Sequence, residues 1–383
     1  MKTEKLYYID AYMADFDAEV ISCVACERGF DALLDRTAFF PEGGGQRADT
    51  GMLDEARLLA VLEIDGAIHH YLDKPLEVGR RVNGRIDFSI RFDKMQQHSA
   101  EHLAIGILHK LYGAENTGFH LGPDEVTFDT DIVLSSEMLE RAELMANRAI
   151  YENRPITQSF PKEEELSALS YRSKLDLGEG VRIVNIEGYD SCACCAPHLS
   201  STAEIGLLKF VFSERHKGGT RVYMAAGERA YKYFASLYKS SVGISQSLSV
   251  LVSDIEEEVR KLNEAKRALE YALCEKGRAM ARVYADMFSE TDDTRVIYLR
   301  ELQPTELREF VNLVGDKARG ILVALCGEEG NYKFVIRSPH LDVKEFIKDA
   351  NLALCGRGGG RGATAEGSFC SAIAEIRNFF EKL

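Results

Sequence analysis

Two short segments, nearly a hundred residues apart, constrain this chain more than anything else in it. The first is His98-Ser-Ala-Glu-His102 and the second is Cys194-Cys-Ala-Pro-His198. The first lies in the stretch Arg91–Lys110, where Met95, Leu103, Ile107 and Leu111 recur at helical spacing and Asp93 with Gln96 reads as a capping box. Histidines four apart on a helix leave the same face one turn apart. Two imidazoles so placed can share a metal ion but need further ligands from elsewhere, and Cys194 and His198 can supply them. The resulting nitrogen- and sulfur-rich set suits zinc. Cys192 and Cys195 stand close enough in sequence to compete with Cys194 as the sulfur ligand.

The chain has 383 residues, 45% of them hydrophobic, enough for two or three ordinary cores. No apolar run approaches a membrane span, and the first residues lack the basic and apolar regions of a signal peptide, so a cytoplasmic location is expected. Nine cysteines, clustered only at 192–195, fit reduced thiols and metal binding better than a disulfide framework. The net charge of −14 argues against a general nucleic-acid binder while leaving room for local basic contacts.

Taken in order, the chain reads as α+β. Residues 1–90 hold short apolar runs punctuated by Gly29, Gly51, Gly66 and Gly79, which predicts a small β-barrel. Within them lies Asp35–Gly51, DRTAFFPEGGGQRADTG. Gly43, Gly44 and Gly45 permit backbone conformations closed to other residues and let main-chain N–H groups approach a ligand, while Thr37 and Gln46 add hydrogen-bonding groups. Residues 91–240 mix strands with two helices, the second over Ser135–Asn153 with a serine cap. His120, beside Phe119, reads as packed or exposed rather than functional.

From Leu248 the pattern changes. Leu248, Val252, Ile255, Val259, Leu262, Leu269 and Leu273 form a heptad seam, so residues 241–290 are expected to make a long helical, coiled-coil arm. Residues 291–383 read as an α/β domain that includes a glycine-rich loop, Cys355–Gly367, CGRGGGRGATAEG. That loop completes no phosphate-binding motif, although Arg357 and Arg361 can meet a phosphate.

The order RTAFFPEGGGQRADTG, HSAEH, GFHLG, CCAPH and TAEIG resembles the editing domain of alanyl-tRNA synthetase, and more closely the free-standing alanyl-tRNA editing proteins of the long AlaX form. The arm and the LCGRGGGRG segment resemble the C-terminal DHH-associated region of that synthetase. Nearly the whole chain is covered, and no adenylate-forming portion is legible. The resemblance therefore implies ATP-independent hydrolysis without aminoacylation: trans-editing of mischarged alanine tRNA, removing serine and also glycine, with zinc as cofactor. Carried over by position, the zinc ligands are His98, His102, Cys194 and His198. Thr37 becomes the substrate-facing threonine and Gln46 the loop glutamine, with the backbone of Gly43–Gly45 beside it. The arm and C-terminal domain would bind tRNA, with Arg357 and Arg361 as phosphate contacts, or join two copies into a dimer. The family commonly has Gly-Thr where Ala196-Pro197 stands here, and Gln or Thr in place of Glu101, so the pocket's fine shape is open. The alternatives are a zinc-containing tRNA-binding module without catalysis, a zinc hydrolase of other small esters, and a threonyl-type editor.

Overall fold

The computed structural model describes residues 2–123, 125–166, 169–173 and 181–383, and divides into two compact units, Met1–Ser241 and Val242–Leu383. The first unit begins with β1 (Glu4–Lys5), β2 (Asp15–Cys26), β3 (Gly29–Leu34), β4 (Arg36–Thr37), β5 (Gly51–Leu53), β6 (Ala56–Ile64), β7 (Ala67–Leu72) and β8 (Arg81–Ile86). Six of these close into a barrel in the order β2-β3-β7-β6-β5-β8, while β1 and β4 pair in parallel. Burial alternates along β7 and β8, as it must where one face of a strand fills a barrel. Val20, Leu53, Val61, Ile68, Leu72 and Val82 make that core.

The barrel's last strand leads directly into α1 (Phe88–Tyr112). The helix starts earlier than its apolar spacing suggests. Asp87, not Asp93, stands at its N-cap, and its carboxylate accepts from Thr50 Oγ1 instead of capping. Asp93 lies inside the helix and is ion-paired with Arg229, so its charge serves a tertiary contact and not a cap. Gly113, left-handed at φ 70°, ends the helix and donates its N–H to His109 O.

There follow β9 (Asn116–Leu121), β10 (Val126–Thr130), α2 (Ser136–Tyr151), β11 (Ile156–Ser159), α3 (Glu163–Leu166), β12 (Ile183–Ile186), β13 (Asp190–Ala193), β14 (Leu208–His216) and β15 (Gly219–Ala226). Ser135 caps α2 through the N–H of Met138, as its position predicts. Strands in the order β14-β15-β10-β9 form one sheet and β11-β12-β13 another. Leu103, Ile107 and Leu108 of α1 pack with Phe128, Ala142, Ala146 and Val222 into a second core. Burial of α1 on nearly every side explains why histidines and a glutamate on it lie out of water.

α4 (Gly227–Leu248) starts in the first unit. The second unit contains α5 (Ile255–Met287), β16 (Arg295–Tyr298), α6 (Pro304–Val314), β17 (Leu322–Glu328), β18 (Asn331–Arg337), α7 (Lys344–Ala353), β19 (Arg357–Arg361), β20 (Thr364–Phe369) and α8 (Ile373–Phe380). The heptad segment is therefore not continuous from Leu248. Ser249, at φ 57°, and a 3-10 turn at Val252–Asp254 separate α4 from α5. Leu262, Leu269, Leu273 and Val283 of α5 are exposed. The glycine-rich stretch is not a loop either: it forms β19 and part of β20, a hairpin at the edge of the five-stranded sheet β16-β17-β18-β20-β19. Its glycines satisfy a close strand approach, since a Cβ on Gly360 would lie 2.1 Å from Thr364 O. Among the described residues no helix is long and apolar enough to cross a membrane.

Candidate metal centre and cavity

The glycine turn is built by its own backbone. Gly43 N–H donates to Gln46 O and Gln46 N–H to Gly43 O, both at 3.0 Å, with Gly44 at φ 61° and Gly45 at φ 81° between them. Positive φ at both central positions is the conformation glycine adopts without penalty. A Cβ on Gly45 would also lie 2.5 Å from Phe119 O, and Leu121 N–H donates to Gly45 O, so the turn is pinned against β9. Behind it, Arg91 of α1 is fully buried and paired with Asp49; it also donates to Ala11 O and Ala38 O, and Asp49 accepts from Phe40 N–H. A buried guanidinium with its hydrogen bonds filled ties the loop to the helix.

On α1, the rings of His98 and His102 lie 5.2 Å apart, and His198 sits 4.7 and 4.5 Å from them. Cys194 Sγ is 3.6 Å from His98 Nε2 and 3.3 Å from His198 Nε2. The four ligand atoms lie within 4.8 Å of one another. Two of the three imidazoles, His98 and His198, are oriented by a partner on the other nitrogen. His98 Nδ1 faces Gln46 Oε1 at 3.0 Å and His198 Nδ1 faces Ser99 Oγ at 3.1 Å. His102 Nδ1 lies 3.3 Å from Asp190 Oδ2, off the line of a true hydrogen bond. With Nδ1 of His98 and His198 so engaged, Nε2 of each is left for a metal, the outer-shell arrangement typical of histidine ligands. This donor set of three imidazoles and one thiol fits Zn²⁺.

At Cys194 and His198 the electrostatics agree with that set. Burial would raise the Cys194 thiol, but His98 and His198 beside it hold it well below its usual range, favouring thiolate. Burial pushes His198 down to about 3, the neutral form a ligand requires. Burial opposes charge on His102 as well, yet Cys192, Asp190 and Cys194 together hold its pKa well above the ordinary value. Burial would raise Asp190, but His102 and Arg172 hold it at about 2.

Of the two competing cysteines, Cys195 is exposed and lies outside the four-ligand group, while Cys192 groups instead with His102 and Asp190. The ligand loop is held by Arg182, which donates to Cys194 O and Ala196 O at 2.9 and 2.8 Å and to Gln158 Oε1, and whose guanidinium lies 5.3 Å from the Tyr8 ring centre.

A cavity of about 280 Å³ opens beside this cluster. Gly44, His98, His102 and Cys194 line it, together with Tyr8, Glu101, Asn116, Phe119, Arg172, Arg182 and Cys195. Gly43, Gly45, Gln46, His198 and Thr37 do not. Thr37 is wholly enclosed: its hydroxyl lies 2.9 Å from His70 Nε2 and accepts from Phe39 N–H. His120 is exposed on β9. Arg357 and Arg361 are exposed on β19, in the second unit. Tyr8, Ser99, Asn116, Arg172, Arg182 and Asp190 were not legible as site residues. Ser99 lies within the histidine motif itself, but the others come from separate segments with no shared spacing.

Residues 181–223 match the family described as the threonyl and alanyl tRNA synthetase second additional domain. Over most of its length the chain is similar to the alanyl-tRNA editing protein Aarsd1 of Danio rerio, at 30% identity over 95% of this chain and 93% of that protein. It is likewise similar to the alanyl-tRNA editing protein AlaX-L of Pyrococcus horikoshii, at 27% identity over 97% of this chain and 96% of that one. An alanine–tRNA ligase of Ignicoccus hospitalis is 30% identical over 100% of this chain but only 43% of the ligase. The chain thus belongs to the alanyl-tRNA editing proteins, the family its motifs resemble, and is an enzyme of the aminoacyl-tRNA deacylase class.

Proposed function

We propose that the chain hydrolyses the ester joining serine, and also glycine, to alanine tRNA, with Zn²⁺ held by His98, His102, Cys194 and His198. The observation that carries this reading is the convergence of those four donors within 4.8 Å of one another, three of them on the wall of a cavity edged by Gly44. Zn²⁺ bound there would supply a Lewis-acidic centre that anchors the substrate and holds the pocket together. The protein's own groups do the rest. Gln46 orients His98, and Arg182 fixes the loop that carries Cys194 and His198. Since the N–H of Gly43 is spent within the turn, Gly44 is the turn residue that presents backbone to a water molecule or a developing oxyanion. An activated ester needs little more than positioning and such stabilisation.

Serine differs from alanine by a hydroxyl, and a pocket that hydrogen-bonds it discriminates better than one relying on size. Thr37, the threonine carried over for this role, is enclosed behind the cavity wall, so it can read a seryl hydroxyl only where that wall opens to the substrate. His70 Nδ1 faces Ala32 O, so its Nε2 accepts the Thr37 hydroxyl proton, leaving the threonine oxygen as an acceptor toward a seryl hydroxyl.

We assign residues 1–90 to a barrel domain, 91–240 to the metal-binding editing domain, 241–290 to a helical arm and 291–383 to a DHH-associated domain. The exposed seam of α5 would pair with a second copy as a coiled coil, and Arg357 and Arg361 would meet tRNA phosphate. Four protein ligands would leave a bound Zn²⁺ no open position, as in structural zinc sites, which favours a second reading in which the chain captures tRNA without turnover.

One experiment separates the two: deacylation of seryl- and alanyl-tRNA of the alanine acceptor, with and without a chelator. Metal-dependent loss of serine with alanine spared supports the editor. Binding of seryl-tRNA with no hydrolysis would replace it with the capture reading.

A further inference from the structure

Glu101 stands on α1 directly before His102 and lines the cavity, and neither the four-donor cluster nor the glycine turn uses it. Its side chain is buried, and among the described residues lining the cavity it is the one carboxylate. Oε1 accepts from Asn116 Nδ2, while Oε2 comes no nearer than 4.0 Å to His102 Nε2. The two guanidinium groups on the same cavity are committed elsewhere. Arg172 is bidentate to Asp190 at 2.8 and 2.7 Å, and Arg182 is held by Gln158 and the carbonyls of Cys194 and Ala196. A buried carboxylate with one oxygen held by Asn116 and the other left toward the cavity can accept a cationic group that enters it.

The substrate of the proposed reaction carries such a group. An aminoacyl ester has a free α-amino group, whose ordinary pKa of about 7.7–8.0 leaves it largely an ammonium near neutrality. Entering the cavity strips water from that ammonium, and it then requires an anionic acceptor. We propose that the Glu101 carboxylate receives the α-ammonium of the aminoacyl ester, with Asn116 holding the second carboxylate oxygen in place. This inference rests on the deacylase reading. It confines the site to esters of free amino acids: a peptidyl or N-acylated ester lacks the charge, and so does a hydroxy acid.

The test uses the full-length chain with its metal. Two substrates are compared, seryl-tRNA of the alanine acceptor and its α-hydroxy analogue, in which hydroxyl replaces the ammonium at almost unchanged size. KM and kcat are measured for the wild type, Glu101→Gln and Glu101→Asp, with metal content determined for each. A charge-assisted contact predicts a KM for the hydroxy analogue about ten- to hundredfold above that for the amine in the wild type. Glu101→Gln should raise KM for the amine by a similar factor, leave the analogue unchanged and retain the metal, while Glu101→Asp keeps part of the preference. If Glu101→Gln loses metal, Asn116→Ala serves instead, and a selective rise in KM for the amine is again expected. An equal fall in kcat for both substrates would assign Glu101 to proton transfer instead, and an unchanged preference for the amine would show that sterics alone set it. Either overturns the proposal but leaves the deacylase reading standing. A wild type that hydrolyses neither substrate overturns both.

Discussion

Gln46 Oε1 lies 3.0 Å from His98 Nδ1, and this contact joins the glycine turn to the metal helix. Because an amide oxygen can only accept, it fixes the proton on Nδ1 and leaves the Nε2 lone pair free for a metal beside Cys194. Gln46→Ala is therefore expected to weaken metal binding by about 10–100-fold, the usual effect of removing an outer-shell partner. Competition against a chromogenic chelator measures it directly. Unchanged affinity would mean that packing, for instance of Phe119 at 4.8 Å from the His98 ring, orients the imidazole.

Arg91→Met leaves Asp49 buried without its cation. A loss of about 3–5 kcal/mol is expected, because breaking one side of a buried pair strands the other charge. Urea unfolding of the unit that carries α1 gives the value. Adding Asp49→Asn to the same chain should recover part of the loss, whereas a double variant no more stable than Arg91→Met would show that the bonds to Ala11 O and Ala38 O carry the effect.

His70 gives a pH dependence with a definite sign. Burial lowers it from 6.5 to about 4, so between those values the unfolded chain binds a proton that the folded chain refuses. Stability from this group is complete above about pH 6.5 and is lost as the pH falls toward 4, by up to about 3 kcal/mol. Comparing urea midpoints at pH 7 and 4.5 for the wild type and His70→Gln isolates it. The variant should show the shallower slope, and parallel slopes would remove His70 as the cause.

Thr37→Val strands His70 Nε2 and the Phe39 N–H, at an expected cost of about 1–3 kcal/mol in stability. Metal content should not change. If Thr37 reads the seryl hydroxyl, removal of serine falls more than removal of glycine, measured on the two charged tRNAs. Equal losses of both would leave Thr37 a structural residue of the barrel wall and move serine recognition to another part of the cavity.

The sequence alone picked out the four side chains that the fold brings within 4.8 Å of one another. Histidines four apart on a helix, and a cysteine and histidine with three residues between them, are local patterns, and local spacing dictates which side chains share a face. The glycine turn was legible for the same reason, since only glycine takes positive φ at two successive positions without strain. Signals that depend on a distant partner were misread or invisible. Asp93 looked like a helix cap because a carboxylate near a helix start is ambiguous until Arg229 is placed against it. The glycines at 358–360 looked like a loop because the strand they approach is brought there only by the sheet. Tertiary structure decided what surrounds the donors. It buried Glu101 against Asn116, laid Arg182 across the carbonyls of the ligand loop and enclosed Thr37 with His70. Each of those contacts joins residues far apart in the chain, and burial gives them their strength, because the same groups in water would have exchanged them for solvent.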